Sequence, residues 1–177
     1  MSSSTTSCEA QNSTDEARKS PDDELQLVTF RLGAEDFGFD IAQVQEIIRI
    51  QPLTRVPNSA SFVQGVINLR GSVIPTLSLR KRLGLEERPS QRETRIIIVE
   101  TRSSVLGLIV DQVAEVVRLR REMVEAPPRL QNTNQEYVTG VARVGQRLLI
   151  VLDVNRIVDD GTCHTGIQDA EKSEGGS

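Results

Sequence analysis

The feature that most constrains the fold of this 177-residue chain is an internal repeat. The sequence FGFDIAQVQEIIR aligns without gaps with LGLIVDQVAEVVR, at an offset of 69 residues. A second block aligns at an offset of 75 residues, so the linker inside the second copy is longer. The core is therefore predicted to be two copies of one unit of about 60 residues. The matching blocks are 37–49 with 106–118, and 63–83 with 138–158.

Each copy has the pattern of short β-strands. Val28, Phe30 and Leu32 alternate with polar residues, which is typical of a half-buried strand. A short turn at residues 33–36 separates this run from the next, and Pro52 ends a third run. About five strands in each copy predict two small closed barrels, either interleaved or adjacent, with repeat blocks at 27–83 and 96–158.

Short helical turns complete the predicted architecture. They are expected near residues 79–83 and 154–158, at the end of each copy. A further short helix is predicted to begin at Pro57-Asn58-Ser59 and to continue through Phe62. Two barrels packed side by side leave a groove between them, which favours a binding module.

The two ends of the chain differ from its core. Residues 1–24 and 159–177 each carry a net charge of −4 and have few large apolar side chains, so both are predicted to be disordered tails. Residues 25–158 carry the remaining +4 and form the predicted domain. The sequence has no apolar run of about 18 residues and no secretory signal. The predicted location is therefore the cytoplasm, without direct membrane insertion.

The sequence offers little for catalysis. The single histidine, His164, follows Cys163 in the acidic tail, where a solvated segment is expected. The glycine-rich stretch ending at Gly71 lacks the lysine that a phosphate-binding loop needs. No enzyme activity, cofactor or metal is therefore predicted. The basic run Arg80-Lys81-Arg82 is interpreted as a solvated face.

Three segments carry a family resemblance. The V-x-E-I block at 44–47, the G-V-I-N-L-R-G block at 65–71 and the segment YVTGVARVGQRLLIVLD together resemble the CheW-like coupling proteins of bacterial chemotaxis. The resemblance covers about residues 25–158. Ser78 departs from it, because the family usually has an aspartate there that can cap the following helical turn.

The resemblance implies a fold and a function. The fold is all-β, with two SH3-like five-stranded barrels. The function is that of a non-enzymatic adaptor in two-component signalling, which joins the cytoplasmic tip of a chemoreceptor to the regulatory domain of a CheA-type histidine kinase at membrane-associated receptor arrays. In the family, the residues that correspond to Val44, Glu46 and Arg70 take part in receptor contact.

The repeat gives each of these residues a second interpretation. Glu115 and Val113 stand where Glu46 and Val44 stand in the first copy, so both residues also fit a purely structural role. Arg70 corresponds to a glycine in the second copy, so the barrel itself does not require an arginine there. Glu46 and Arg70 are predicted to lie near each other.

Three glycines are assigned to the scaffold. Gly65 matches Gly140 in the other copy, which indicates a special backbone conformation or a close approach of another segment. Gly71 follows Arg70 and is assigned with them as a structural turn residue.

The alternative function is a small-barrel nucleic-acid-binding protein. Such proteins stack bases on exposed aromatic side chains. Aromatic residues are only 3% of this chain, and three of its four phenylalanines alternate toward the predicted core. The adaptor is therefore the favoured hypothesis, with no nucleic acid among its partners.

Overall fold

The computed structural model describes residues 23–128 and 135–158. This part of the chain forms β-strands joined by short turns and a few single-turn helices. The elements are β1 (Glu24–Leu32), β2 (Glu35–Asp40), β3 (Val44–Arg49), β4 (Val63–Leu69), β5 (Ser72–Ser78), α1 (Leu79–Arg82), β6 (Arg95–Glu100), β7 (Val105–Val110), β8 (Gln112–Arg120), β9 (Val124–Glu125), β10 (Val138–Val144), β11 (Arg147–Leu152) and α2 (Val154–Val158). Single 3-10 turns lie at Ile41–Gln43, Arg121–Met123 and Gln135–Tyr137.

The strands form two mixed sheets, which confirms the all-β fold class. One sheet has six strands in the order β8-β1-β2-β11-β10-β9, and the other has five in the order β3-β6-β7-β5-β4. The first two strands of each repeat copy pair with the last strands of the other copy. The barrels are therefore interleaved, and neither copy forms one by itself.

Each sheet closes on itself. In the five-stranded sheet, Thr54 lies beyond the end of β3 and forms a bridge with Val66 of β4, the strand at the opposite edge. In the six-stranded sheet, β9 follows β8 in the chain and pairs with β10. Closure removes the exposed sheet edges that would otherwise pair with other chains. We call the two units the five-stranded barrel and the six-stranded barrel.

Apolar side chains fill each barrel and the space between the barrels. One cluster around Leu27 and Leu149 fills the six-stranded barrel, and one around Ile67 and Ile98 fills the five-stranded barrel. The largest cluster takes residues from both barrels and holds them together. Its fully buried members include Phe30, Phe39, Leu77, Leu79, Ile97, Leu106, Leu108 and Val154.

The predicted helix through Phe62 is wrong. Residues 57–62 form turns, and Asn58 has a positive φ of 57°, which is incompatible with a right-handed helix. The turns at α1 and α2 are confirmed. Ser78 caps α1 although it carries no charge, because its hydroxyl accepts a hydrogen bond from the Lys81 N–H at 3.4 Å.

Some predictions fall outside the described residues. They are the disorder assigned to most of residues 1–24 and to residues 159–177, and the solvated Cys163-His164 pair. Within the part of the chain that the structure describes, no helix is long and apolar enough to cross a membrane.

Candidate functional site

The five-stranded barrel brings Glu46 and Arg70 together, as the sequence predicts. Glu46 lies on β3, and Arg70 lies in the two-residue turn between β4 and β5. Arg70 Nη1 donates to Glu46 Oε2 at 2.8 Å, and Nη2 donates to Oε1 at 3.3 Å. The two side chains therefore form a forked, charge-assisted pair of the kind that holds a guanidinium in one orientation.

The two partners of this pair differ in exposure. Glu46 lies opposite Ile98 of β6, so its side chain starts on the barrel's interior face. Its side chain is 27% exposed, whereas that of Arg70 is 78% exposed. The carboxylate is thus anchored at the rim of the barrel, and the arginine reaches over it into solvent.

The backbone at Arg70 has a conformation that favours glycine over arginine. Arg70 has a φ of +52°, and its repeat equivalent Gly145 has a φ of +60°. With Gly71 also at positive φ, residues 69–72 form the tight turn that joins twisted antiparallel strands. A glycine fits this position at no steric cost, whereas an arginine is strained there. The turn therefore needs no arginine, and the side chain has another reason to be present.

Apolar side chains lie on the face of β3 opposite to that of Glu46, where Val44 and Ile47 are in register with Val99 and Ile97. Val44 is half-buried against the central cluster, as is its repeat equivalent Val113. Ile41 and Ile47, on either side of it in sequence, are 38% and 41% exposed. Sequence reasoning missed these two isoleucines, because periodicity alone assigns apolar strand residues to the core.

The three predicted scaffold glycines do not share one role. Gly71 lies in the β4–β5 turn, and its N–H donates to Asn68 Oδ1 at 2.9 Å. Gly65 and Gly140 lie within strands, each at a register shift. A side chain on Gly65 would collide with the backbone carbonyl of Thr54, because that segment crosses directly over it. These two glycines serve close approach and not a turn.

A second Glu–Arg pair lies on the six-stranded barrel. Glu115, the repeat equivalent of Glu46, has its Oε1 3.7 Å from Nη2 of Arg147. Arg147 also lies 3.7 Å from Asp36, which in turn pairs with Arg31 at 2.9 Å. The arginine comes from the first residue of β11 instead of the turn. The repeat alignment alone did not reveal this pair, because it sets Arg147 against Ser72.

The interpretation of Arg80 as a solvated residue is wrong. Arg80 is 7% exposed and forms a forked ion pair with Asp111, in which its Nε donates to Asp111 Oδ1 at 2.7 Å. Its third nitrogen donates to the Glu86 carbonyl, and Asp111 accepts the Gly33 N–H at 2.8 Å. The hydrogen bonds from Arg80 lower the pKa of Asp111, and the same contact raises the pKa of Arg80.

Two further kinds of site, a metal centre and an aromatic platform, were sought among the described residues. Among them, no group of three or more histidine, cysteine, aspartate or glutamate side chains is placed to hold a metal ion. All five aromatic residues of the chain are described. Phe30, Phe37, Phe39 and Tyr137 are buried, and Phe62 packs against an arginine. The described surface thus lacks the aromatic platform on which a single-stranded nucleic acid would stack.

Comparison with known families and proteins gives a consistent result. Residues 26–161 match the model of the CheW-like domain. The chain is 37% identical over 141 residues to the chemotaxis protein CheW of Treponema pallidum, which covers 77% of this chain and 83% of that protein. It is 33% identical to CheW of Bacillus subtilis, covering 81% of this chain and 92% of that one.

A solved structure is similar as well. The crystal structure of the scaffolding protein TtCheW from Thermoanaerobacter tengcongensis matches with a TM-score of 0.73 and 33% identity. The match covers 78% of this chain and 94% of that chain. The residues that match the family model, 26–161, include Glu46 and Arg70.

Proposed function

The chain belongs to the CheW-like family, and from that premise we propose that it couples the cytoplasmic tip of a chemoreceptor to the regulatory domain of a CheA-type histidine kinase. Its relatives are chemotaxis and scaffolding proteins, so a chemotaxis scaffold or adaptor is the function that the family supports. The relatives give no support to nucleic-acid binding. The partners and their contact residues are the part that we propose.

Arg70 carries this proposal. It stands at a position where the backbone favours glycine and where the repeat supplies glycine. Its side chain is mostly exposed and is oriented by Glu46. An oriented, exposed guanidinium is suited to carboxylates and backbone carbonyls on a partner. We assign Arg70 and Glu46 to receptor binding.

Apolar residues on β3 and just before it complete the proposed surface. Ile41 and Ile47 are partly exposed, and Val44 between them in sequence packs against the central cluster. Partly exposed apolar residues on the outer face of β3, with a charged pair at the barrel rim, fit the apolar face of a helix. The receptors that CheW-like coupling proteins are known to contact have a tip that is a helical hairpin. Docking of a helix in a groove is therefore the proposed mode of binding.

The proposed adaptor unit is residues 25–158, which act without catalysis and without a cofactor at receptor arrays on the cytoplasmic side of the membrane. The two tails are proposed to be dispensable for folding. A chain of residues 25–160 is expected to melt within a few degrees of the full-length protein. A loss of stability as large as that caused by removing a strand would show that a tail packs on the barrels.

The substitution Arg70→Gly tests the receptor assignment. It removes the side chain but keeps the backbone conformation that Gly145 adopts at the equivalent position. Receptor-tip affinity should fall, whereas affinity for the kinase regulatory domain and the melting temperature should not. Arg70→Glu should weaken receptor binding further, because it also introduces repulsion that can cost several kcal/mol.

Arg92→Glu is the matched control, because Arg92 is an exposed arginine in the segment before β6, at the opposite end of that strand from Val99, which pairs with Val44. It reverses the same charge away from the proposed surface and should leave both titrations unchanged. If Arg70→Gly instead loses the kinase and keeps the receptor, the two surfaces are assigned the wrong way round. If it binds both partners normally, Arg70 is not a contact residue.

A further inference from the structure

A single arginine lies between two aromatic rings where the two halves of the chain meet. The Arg82 guanidinium carbon is 4.6 Å from the centroid of the Phe62 ring and 4.8 Å from that of the Tyr137 ring. Its Nε also donates to the Ile157 carbonyl at 2.8 Å. Phe62 and Tyr137 are repeat equivalents at an offset of 75 residues, and so are Arg82 and Ile157. The contact therefore joins matching parts of the two copies.

Each ring is fixed to its own barrel by the same backbone bond. The Ser78 N–H donates to the Phe62 carbonyl at 2.8 Å, and the Asp153 N–H donates to the Tyr137 carbonyl at 2.9 Å. These bonds hold each ring at the junction of the last strand and the following helical turn. Arg82 ends α1 of the five-stranded barrel, yet it contacts a ring and a carbonyl that belong to the six-stranded barrel.

The chemistry of this contact is directional. A planar guanidinium offers a flat face to aromatic rings while its edge donates hydrogen bonds. The apolar cluster between the barrels holds them together by close packing, and the hydrophobic effect that drives its burial is itself non-directional. A lysine keeps the charge but has neither the flat face nor the Nε donor.

We propose that Arg82 is a positioning residue that fixes the orientation of one barrel relative to the other. This inference rests on the proposed function in one respect, because orientation matters to an adaptor whose partners must be held in a defined geometry. The receptor surface proposed above lies on the five-stranded barrel. A partner that touches both barrels fits them only if the angle between the barrels is fixed. Two partners that are bound to different barrels are likewise aligned with each other only if that angle is fixed.

The test uses the full-length protein with Arg82→Met, Arg82→Lys and the control Arg92→Met. Arg92 is an exposed arginine in the segment before β6. Residual dipolar couplings of the backbone amides report the orientation of each barrel directly. In the wild type and the control, one alignment tensor should fit both barrels. In Arg82→Met, each barrel should still fit its own structure but the two should need different tensors, and Arg82→Lys should lie between.

Binding is measured separately, by titration of each variant with receptor tip in the presence of kinase regulatory domain. Arg82→Met is expected to weaken assembly of the three-component complex about tenfold, which corresponds to about one tenth of the molecules having the competent angle between the barrels. Arg82→Lys should recover part of the loss. The control should assemble like the wild type.

The outcomes separate this inference from the function on which it rests. A single tensor for Arg82→Met overturns the orienting role, whether or not any partner binds. A changed orientation with unchanged assembly overturns the link to function. A wild type that binds no receptor tip contradicts the proposed function while the couplings still decide the role of Arg82. If Arg82→Met fails to fold, Phe62→Leu removes one ring and keeps an apolar side chain, and the same couplings then decide.

Discussion

The two barrels are built from the same repeat, and their differences separate scaffold from surface. Both have a glutamate at the same strand position, paired with an arginine. In the five-stranded barrel the arginine occupies a strained turn position, whereas in the six-stranded barrel that position is Gly145 and the arginine is on the strand. The glutamate that both barrels retain orients an arginine in each of them. The arginine at the turn is found in one barrel only, and Arg70 is therefore the residue on which the proposed receptor contact mainly rests.

A second comparison concerns how the barrels are held together. The β1–β2 turn of the six-stranded barrel is bound by Asp111, which Arg80 holds in place. The equivalent β6–β7 turn of the five-stranded barrel is bound directly by Asn155, the repeat equivalent of Arg80. One link uses a mostly buried charge pair and the other a single neutral hydrogen bond. The two links therefore occupy matching positions but should differ in strength and in pH dependence.

The largest expected effect on stability comes from the matched glycines. Gly65→Ala places a Cβ against the Thr54 backbone, at a φ of +150° that suits only glycine. We expect the free energy of unfolding to fall by about 3 kcal/mol in denaturant titrations. Gly140→Ala should cost less, because Gly140 does not have a positive φ, although a Cβ there would meet both the Val124 side chain and the Glu125 carbonyl. Equal losses would show that the two sites are equivalent in spite of their backbones.

The next largest effect should come from the Arg80 link. Arg80→Met leaves Asp111 without its main partner, and we expect a loss of about 2–3 kcal/mol in unfolding free energy. Asn155→Ala removes one hydrogen bond to the Arg102 N–H and should cost about 1 kcal/mol. If the asparagine variant proves the less stable of the two, the ranking of the links is reversed.

The Arg80 link should also depend on pH. Because its pKa is lowered in the folded protein, Asp111 contributes stability that is present above its ordinary pKa of 3.8 and is lost as the pH falls below that value. The difference in unfolding free energy between the wild type and Asp111→Asn should therefore be constant near neutral pH and shrink in acid. Asn155→Ala has no titrating group in the link and should show a difference that stays constant. A difference for Asp111→Asn that grows in acid would contradict the lowered pKa.

The smallest effects on stability are expected at the two turns. Arg70→Gly relieves a strained backbone and loses an exposed ion pair, so the change should stay within about 1 kcal/mol. Gly145→Arg introduces the same strain in the other barrel and should destabilise by about 1 kcal/mol. Thermal melting of both variants measures the two shifts. A large loss in Arg70→Gly would mean that the arginine serves the scaffold after all.

Much of the fold was predictable because the relevant signals are local. The alternation around Phe30, the proline that ends the third run and the repeat itself indicated about five strands in each copy. The first copy has five, and the second has six because the two-residue strand β9 is added. The helix expected at Pro57 was wrong, because a capping pattern needs a helical backbone to cap and Asn58 turns the chain the other way. The solvated interpretation of Arg80 was wrong, because its partner Asp111 is distant in sequence.

The candidate site was likewise predicted only in part. The proximity of Glu46 and Arg70 was predicted because both segments were expected to border the same groove, and the structure adds the forked geometry of the pair. The exposed Ile41 and Ile47 were not predicted. From the sequence alone, an apolar residue on a strand is assigned to the core. Only the positions of the neighbouring elements in the folded structure show that such a side chain is left partly exposed.

By itself, the sequence determined that this chain contains two copies of one β-rich unit, where most of the strands lie and which turn carries an arginine in place of glycine. These properties follow from local sequence patterns, because the two-residue period of a strand shows which of its faces is apolar. Only the tertiary structure decided that the copies exchange their first two strands, and that Arg82 stands between Phe62 and Tyr137. The physical reason is that backbone hydrogen bonds pair strands without regard to side-chain identity. The choice of neighbour is therefore made by the packing of the whole core.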